Sequence, residues 1–266
     1  MARSHTIYQV DAFTSEPFRG NPAGVCILEN QMPHIWMQNI ATELHVSETA
    51  FISAGREGYD IRFFTPESEV PLCGHATLSS AHIMFEKGIA QRNDEIHFFS
   101  KAGKLKVRYS DGWIIMNFPS YNLSQVPVPD NIAKYTGIIP DELYRTDHGW
   151  ILALLNKEEE LVKLNPDFKA MKKSEYGDLI VTSPSSDPHF DFCVRCFAPA
   201  LGIDEDPVTG SAQCALVPFW HRKTGKTDFV SHQVSRRGGI LKGSLLDSRV
   251  EIAGQAKTVF RADLFV

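Results

Sequence analysis

Arg62-Phe63-Phe64-Thr65-Pro66, followed by Pro71-Leu72-Cys73-Gly74-His75-Ala76-Thr77, decides the reading of this chain, because the pattern returns in its second half. Arg-x-Phe-x-Pro recurs as Arg195-Cys196-Phe197-Ala198-Pro199, at an offset of 133 residues. Pro-x-x-Gly-x-Ala recurs as Pro207-Val208-Thr209-Gly210-Ser211-Ala212, at an offset of 136. Both offsets are close to half of the 266 residues, and the matches keep their order. Three extra residues between the elements of the second copy account for the difference. A repeat of this size implies two similar domains rather than a solenoid.

Each copy has the same local logic. A strand carrying Arg-x-Phe ends at a proline, a Pro-x-x-Gly turn follows, and a run of small and apolar residues begins. The first run, Ala76 to Phe85, meets a helix stop at Lys87-Gly88; the second, Ser211 to Trp220, closes at Lys223-Thr224-Gly225. Both are small or apolar on nearly every face, which predicts helices buried inside a β-layer. Pro218 should kink or shorten the second. The glycines sit before helix N-termini, where free N–H groups and the helix dipole favour an anion.

Outward from the repeat, short strands and hairpins surround the helices. Ile7 to Phe13 alternates as a strand, and the Arg19-Gly20-Asn21-Pro22 turn feeds a second strand, Gly24 to Leu28. Pro33 suits a helix N1 position, with Ile35, Trp36, Ile40 and Leu44 at helical spacing. Ala50 to Ser53 and Tyr59 to Phe64 form a hairpin across Gly55-Arg56-Glu57-Gly58. Asp111-Gly112 turns the alternating strand around Leu105, Val107 and Tyr109 into Trp113 to Phe118. Strands outnumber helices and favour antiparallel connections. The expected domains are 1–120 and 121–258.

Composition excludes several functions. Hydrophobic residues at 43% and charged residues at 22% are ordinary for a globular chain, so a real core is affordable at this length. A net charge of −5, with no basic run beyond Arg236-Arg237, argues against nucleic acid as a partner. No leader pattern precedes Phe13 and no apolar stretch is long enough to span a membrane, so a cytoplasmic protein is expected. The five cysteines, Cys26, Cys73, Cys193, Cys196 and Cys214, read as reduced thiols. Cys193 and Cys196 lie in a strand-like stretch, where residues three apart face opposite sides and make a poor metal or redox pair. No P-loop, dinucleotide fingerprint or metal-ligand spacing is present, so neither cofactor nor metal is expected.

Several motifs taken together resemble one family. Asp11-Ala12-Phe13, Gly20-Asn21-Pro22-Ala23, Ser47-Glu48-Thr49-Ala50-Phe51, the Pro71–Thr77 segment and Asp206–Ala212 look like the PhzF (phenazine biosynthesis-like) family, in its order and spacing, with a weaker match at Arg236-Arg237-Gly238-Gly239. The resemblance covers essentially the whole chain. It implies an α+β, diaminopimelate-epimerase-like fold of two similar domains, each a curved antiparallel sheet around a central helix. It also implies an active site in the cleft between them, a last strand at 259–266 returning to the first domain, and a homodimer.

The implied chemistry is cofactor-independent isomerisation, with a proton moved by general acid–base catalysis on a small carboxylate-bearing metabolite. Glu48, just ahead of an apolar strand start, is the first choice as acid/base, its pKa expected to be raised by burial. The residues alone leave it equally a solvated strand-end glutamate; the resemblance points to catalysis. His75 and Asp206 lie at the expected helix N-termini, and the resemblance gives them binding or second proton-carrier roles. Gly74, Gly210 and Ser211 would hold a substrate carboxylate, and Asn21 is a further binding candidate. A two-thiol racemase is disfavoured, because Cys73 aligns with Thr209 in the repeat rather than with a cysteine. Gln213 stands where many relatives have histidine, which weakens any carry-over of exact substrate. A binding protein that kept the site and lost the chemistry is the alternative, and a lyase or hydrolase on the same scaffold a weaker third.

Overall fold

The structure is a computed structural model and describes residues 4–265. The chain divides into two compact units, one running to Asn117 and resuming at Ala253, the other spanning Phe118–Ile252.

The first unit holds β1 (Ser4–Ala12), β2 (Asn21–Leu28), α1 (His34–Leu44), β3 (Glu48–Ala54), β4 (Tyr59–Phe64), β5 (Glu69–Val70), α2 (Gly74–Glu86), β6 (Ile96–Ser100), β7 (Gly103–Ser110) and β8 (Trp113–Pro119). Most neighbouring strands are antiparallel, but β2 and β3 run parallel, as do β4 and β6. Parallel neighbours need a crossover. Here α1 supplies the first, and β5 with α2 supplies the second.

The second unit holds β9 (Leu123–Val126), α3 (Ala133–Thr136), β10 (Glu142–Thr146), β11 (Ile151–Leu154), α4 (Glu158–Lys163), α5 (Phe168–Met171), β12 (Leu179–Pro184), β13 (Phe192–Ala198), β14 (Ile203–Asp206), α6 (Gln213–Thr224), β15 (Asp228–Gln233), β16 (Gly239–Leu246) and β17 (Arg249–Gly254). Its two parallel pairs, β11 with β12 and β13 with β15, are again bridged by helices, α4 with α5 and then α6. The sequence repeat is therefore a repeat of topology: Arg-x-Phe strand, proline turn, short antiparallel strand, buried helix. The last strand, β18 (Ala256–Phe265), pairs antiparallel with β1.

One ion pair marks the repeat in space. Arg62 on β4 donates two hydrogen bonds of 2.8 Å to the Glu69 carboxylate on β5. Arg195 on β13 does the same to Glu205 on β14, at 2.7 and 2.9 Å. Each guanidinium also lies over the phenylalanine two residues on, Phe64 and Phe197. The fork geometry favours bidentate carboxylate pairing, and the ring face holds the cation from the other side.

Helices α2 and α6 are each buried around most of their circumference. Small side chains let the sheets close on them: Ala76, Thr77, Ser79, Ser80 and Ala81 are buried along α2. Gly254 is required beside α2, since a Cβ there would fall 2.4 Å from Phe13 and 2.7 Å from Leu78. Gly243 does the same beside α6, where a Cβ would meet Val217 at 2.4 Å. Helix α1 is more conventional. It packs Met37, Ile40 and Ala41 against Ile7, Phe51 and Phe64, and burying each large side chain contributes roughly 1.5–3 kcal/mol.

The structure corrects three details. Helix α6 runs unshortened through Pro218 to Thr224. The proline removes the N–H that would bond to the Cys214 carbonyl, and the Tyr121 N–H takes that carbonyl instead, at 2.8 Å. Pro33 is the N-cap of α1 rather than its first residue. Gly74 is the first residue of α2, while Gly210 and Ser211 form a tight turn before α6. Cys193 and Cys196 are free, buried thiols on one strand, β13. Among the described residues no helix is long and apolar enough to cross a membrane.

Candidate active site

Because β2 and β3 are parallel, their N-terminal ends lie at the same edge, with Ala23 opposite Glu48. Asn21 begins β2, Glu48 begins β3, and the first turn of α2 brings His75 to the same place. A left-handed residue, His45, caps α1 and turns the chain into Ser47-Glu48.

The side chains form a connected chain of polar contacts. His75 Nε2 lies 3.2 Å from Glu48 Oε2 and 3.3 Å from Ser47 Oγ. The Ser47 hydroxyl donates to the Pro22 carbonyl at 3.2 Å and lies 3.4 Å from Asn21 Oδ1. An ionised carboxylate and a hydroxyl already donating elsewhere are both acceptors, so Nε2 carries a proton. The Cys73 sulfur lies against the same ring, 3.4 Å from Nδ1 and 3.8 Å from Nε2. His75 and Cys73 are buried, and the Glu48 side chain is only 16% exposed.

The charges follow from these contacts. Burial acts to raise the Glu48 pKa, but the charge of His75 and hydrogen bonds from His75 and Cys73 bring it below the usual carboxylate range. This reverses the sequence-based expectation, which counted burial and had no partner to set against it. Burial opposes protonation of His75, yet the charge of Glu48 and hydrogen bonds to Cys73 and Glu48 raise its pKa above the ordinary imidazole value. Cys73 is pushed up by burial and by the Glu48 charge, so it rests as a thiol. At neutral pH the site therefore holds carboxylate, imidazolium and thiol.

Glu48, Cys73 and His75 present donor atoms within 4.8 Å of one another. The thiol sulfur is nearer Nδ1 than Nε2, at 3.4 against 3.8 Å, while the carboxylate faces Nε2. The three groups therefore form one compact hydrogen-bonded cluster around the ring.

In the second unit Asp206 ends β14, and its carboxylate accepts from the Thr209 hydroxyl at 2.5 Å. Gln233, fully buried on β15, clamps this turn. Its amide donates to the Asp206 carbonyl at 2.8 Å and accepts from the Thr209 N–H at 2.9 Å. Ser235 Oγ donates to the Pro207 carbonyl at 2.6 Å. Gly210 and Ser211 follow, and their carbonyls accept the first bonds of the turn into α6.

The structure thus brings Glu48, His75 and Asn21 together, with Gly74 beginning the same helix as His75, and groups Asp206 with Gly210 and Ser211. Sequence reasoning gave no role to Ser47, although it lies inside a quoted motif. It missed Gln233 entirely, because a buried polar residue on a strand leaves no local pattern.

Comparison with known proteins gives a consistent picture. The PhzC-PhzF family, described as "Phenazine biosynthesis-like protein", matches residues 10–262. An uncharacterized isomerase of Halalkalibacterium halodurans is 44% identical over 98% of both chains. Another, from Pseudomonas aeruginosa, is 43% identical over 95% of both. The crystal structure of a phenazine biosynthesis protein of the PhzF family from Enterococcus faecalis superposes with a TM-score of 0.95. It is 37% identical and covers 99% of this chain and all of its own.

Proposed function

The chain belongs to the phenazine biosynthesis-like (PhzC-PhzF) family, and from that premise we propose that it is an isomerase moving a proton between carbon positions of a small carboxylate-bearing metabolite, by general acid–base catalysis without metal or organic cofactor. Relatives named as isomerases support the reaction class. The observation that carries the assignment to residues is the buried Glu48–His75 pair at 3.2 Å.

Glu48, resting as a carboxylate, is the base. It removes a proton from a carbon next to a carbonyl or carboxylate, and the C–H electron pair moves into that group as an enolate. His75, an imidazolium touching Glu48, holds the anionic form of the base ready and supplies positive charge nearby. The N–H groups of Gly74 and His75 at the head of α2 suit the negative charge of the substrate, since the first N–H groups of a helix have no intrahelical acceptor. We assign Asp206 to the second proton carrier, in place of or beside His75. Gly210 and Ser211 then hold a carboxylate, and Asn21 helps to position the substrate. General acid–base groups of this kind contribute about 10²–10⁴ in rate.

The test is solvent exchange. The protein in D₂O is incubated with a panel of small α-amino and cyclic carboxylates, and deuterium uptake is followed by mass spectrometry. Uptake of deuterium at carbon in at least one compound is expected. Ligands that raise the melting temperature but take up no deuterium would replace the isomerase with a binding protein.

A further inference from the structure

Helix α2 carries His75 in its first turn, and at its other end the first unit holds a cavity of about 250 Å³. At 1.5 Å of rise per residue, His82 and Glu86 lie about 10 and 16 Å along the helix from His75, so this cavity is separate from the Glu48 site. Its space equals that of about eight water molecules. We propose that it binds a small planar carboxylate, with Arg92 and Lys257 holding the charged group and Phe85, Tyr109 and Ile114 packing the flat apolar body.

The lining carries this assignment. Arg92 and Lys257 supply two positive charges against one acidic residue, Glu86. That glutamate is already engaged: it accepts from the Thr258 hydroxyl at 2.6 Å and lies 3.2 Å from His82 and 3.3 Å from Lys87. Burial holds His82 below its ordinary range, and the charges of Lys257 and Arg92 push the same way. Arg92 and Lys257 line the cavity together with His82, so an anion inside it would meet cationic side chains from two segments of the unit.

The apolar side is equally specific. The Arg92 guanidinium carbon lies over the Tyr109 ring, 4.7 Å from its centre, a cation–π contact, and a guanidinium fork is the donor set that suits a carboxylate. Phe85 stands 5.6 Å from the same ring, tilted, so aromatic surface continues around the wall. The frame is tied down by backbone contacts. Gln255 donates its side-chain amide to the Gly112 carbonyl at 3.4 Å, and its backbone carbonyl accepts the Thr14 N–H at 3.2 Å. The cavity thus sits against the β7–β8 turn. A flat anion satisfies both walls; a neutral ring leaves the cations unpaired, and a compact inorganic anion leaves the aromatic wall uncovered.

The probe is benzoate, titrated into ¹⁵N-labelled protein while backbone amide shifts are followed by NMR. Saturable shifts are expected at Phe85, Glu86, Tyr109, Gly112 and Gln255. Benzamide and inorganic phosphate at the same concentrations should leave these amides within about a tenth of the benzoate shifts. Arg92→Ala and Lys257→Ala, both at exposed positions, should each weaken the benzoate response about tenfold or more. Glu48→Gln should leave it unchanged, which keeps this proposal independent of the catalytic one. Shifts confined to Asn21, Glu48 and Gly74, an equal response to benzamide, or full benzoate binding in Arg92→Ala would overturn it.

Discussion

Nε2 of His75 lies 3.2 Å from Oε2 of Glu48, and that contact, more than burial, sets the resting charge of the site. A lone buried glutamate would be protonated at neutral pH; one facing an imidazolium remains an anion. In the proposed mechanism Glu48 therefore begins the cycle as a base.

The pH dependence follows from the two opposite shifts. Glu48, lowered in the folded chain, contributes stability above its unfolded pKa and loses it as pH falls through the folded value. His75, raised, contributes below its unfolded pKa and loses that contribution as pH rises through the folded value. Activity should accordingly hold through neutral pH and fall on the acid side with a midpoint below the ordinary carboxylate range. In His75→Asn the acid midpoint should move up, because burial is then opposed by no neighbouring cation. A kcat/KM profile for both proteins measures this; an unmoved acid limb in the variant would refute the pairing.

Cys73 discriminates between acid–base and thiol chemistry. Its sulfur touches His75 Nδ1 at 3.4 Å, but it rests as a protonated thiol. Cys73→Ala should keep turnover within about tenfold of the parent, well inside the 10²–10⁴ that a proton carrier contributes. A loss as large as that of Glu48→Gln would make the thiol a proton carrier.

The repeated arginine–glutamate pairs should differ in worth. Arg195 is only 12% exposed and also donates to the Leu161 and Leu164 carbonyls, so Arg195→Met strands Glu205 and the end of α4 together. Its cost should be about 3 kcal/mol. Arg62 is 35% exposed, and Glu69 keeps Lys101 at 2.6 Å when Arg62 is lost. Arg62→Met should cost about 1 kcal/mol. Urea unfolding of each variant tests the order, and equal or reversed costs would contradict it.

Pro218 should behave unlike an ordinary helix proline. Such a residue normally costs about 3 kcal/mol, so its removal would be expected to stabilise. Here the carbonyl it orphans is already bonded to the Tyr121 N–H, and an alanine N–H would have to share it. Pro218→Ala should change stability by about 1 kcal/mol or less in denaturant titration, and a gain of 2 kcal/mol or more would show that the proline strains α6.

Much of the fold was legible because the sequence states its unit twice. Arg-x-Phe-x-Pro and Pro-x-x-Gly-x-Ala mark β4, α2, β13 and α6 directly, and the small residues along both helices announce their burial. What was missed involves partners distant in sequence or without a local pattern. Glu69 and Glu205 share the 136-residue offset, yet their pairing shows only when the strands fold back. The parallel strand pairs depend on crossovers that periodicity does not reveal. The motifs supplied the candidate residues Glu48, His75 and Asn21, which the fold brings together, but not the pKa direction of Glu48, since it depends on a histidine 27 residues away. Pro218 misled for the same reason: the N–H that compensates it comes from Tyr121.

The central claim, that Glu48 is the base, is tested most directly by comparing deuterium incorporation from D₂O by the parent and by Glu48→Gln, on whichever carboxylate the parent exchanges. The account predicts that the variant folds with a melting temperature within a few degrees of the parent and loses about 10²–10⁴ in exchange rate. A correctly folded variant that exchanges at the parent rate would contradict it.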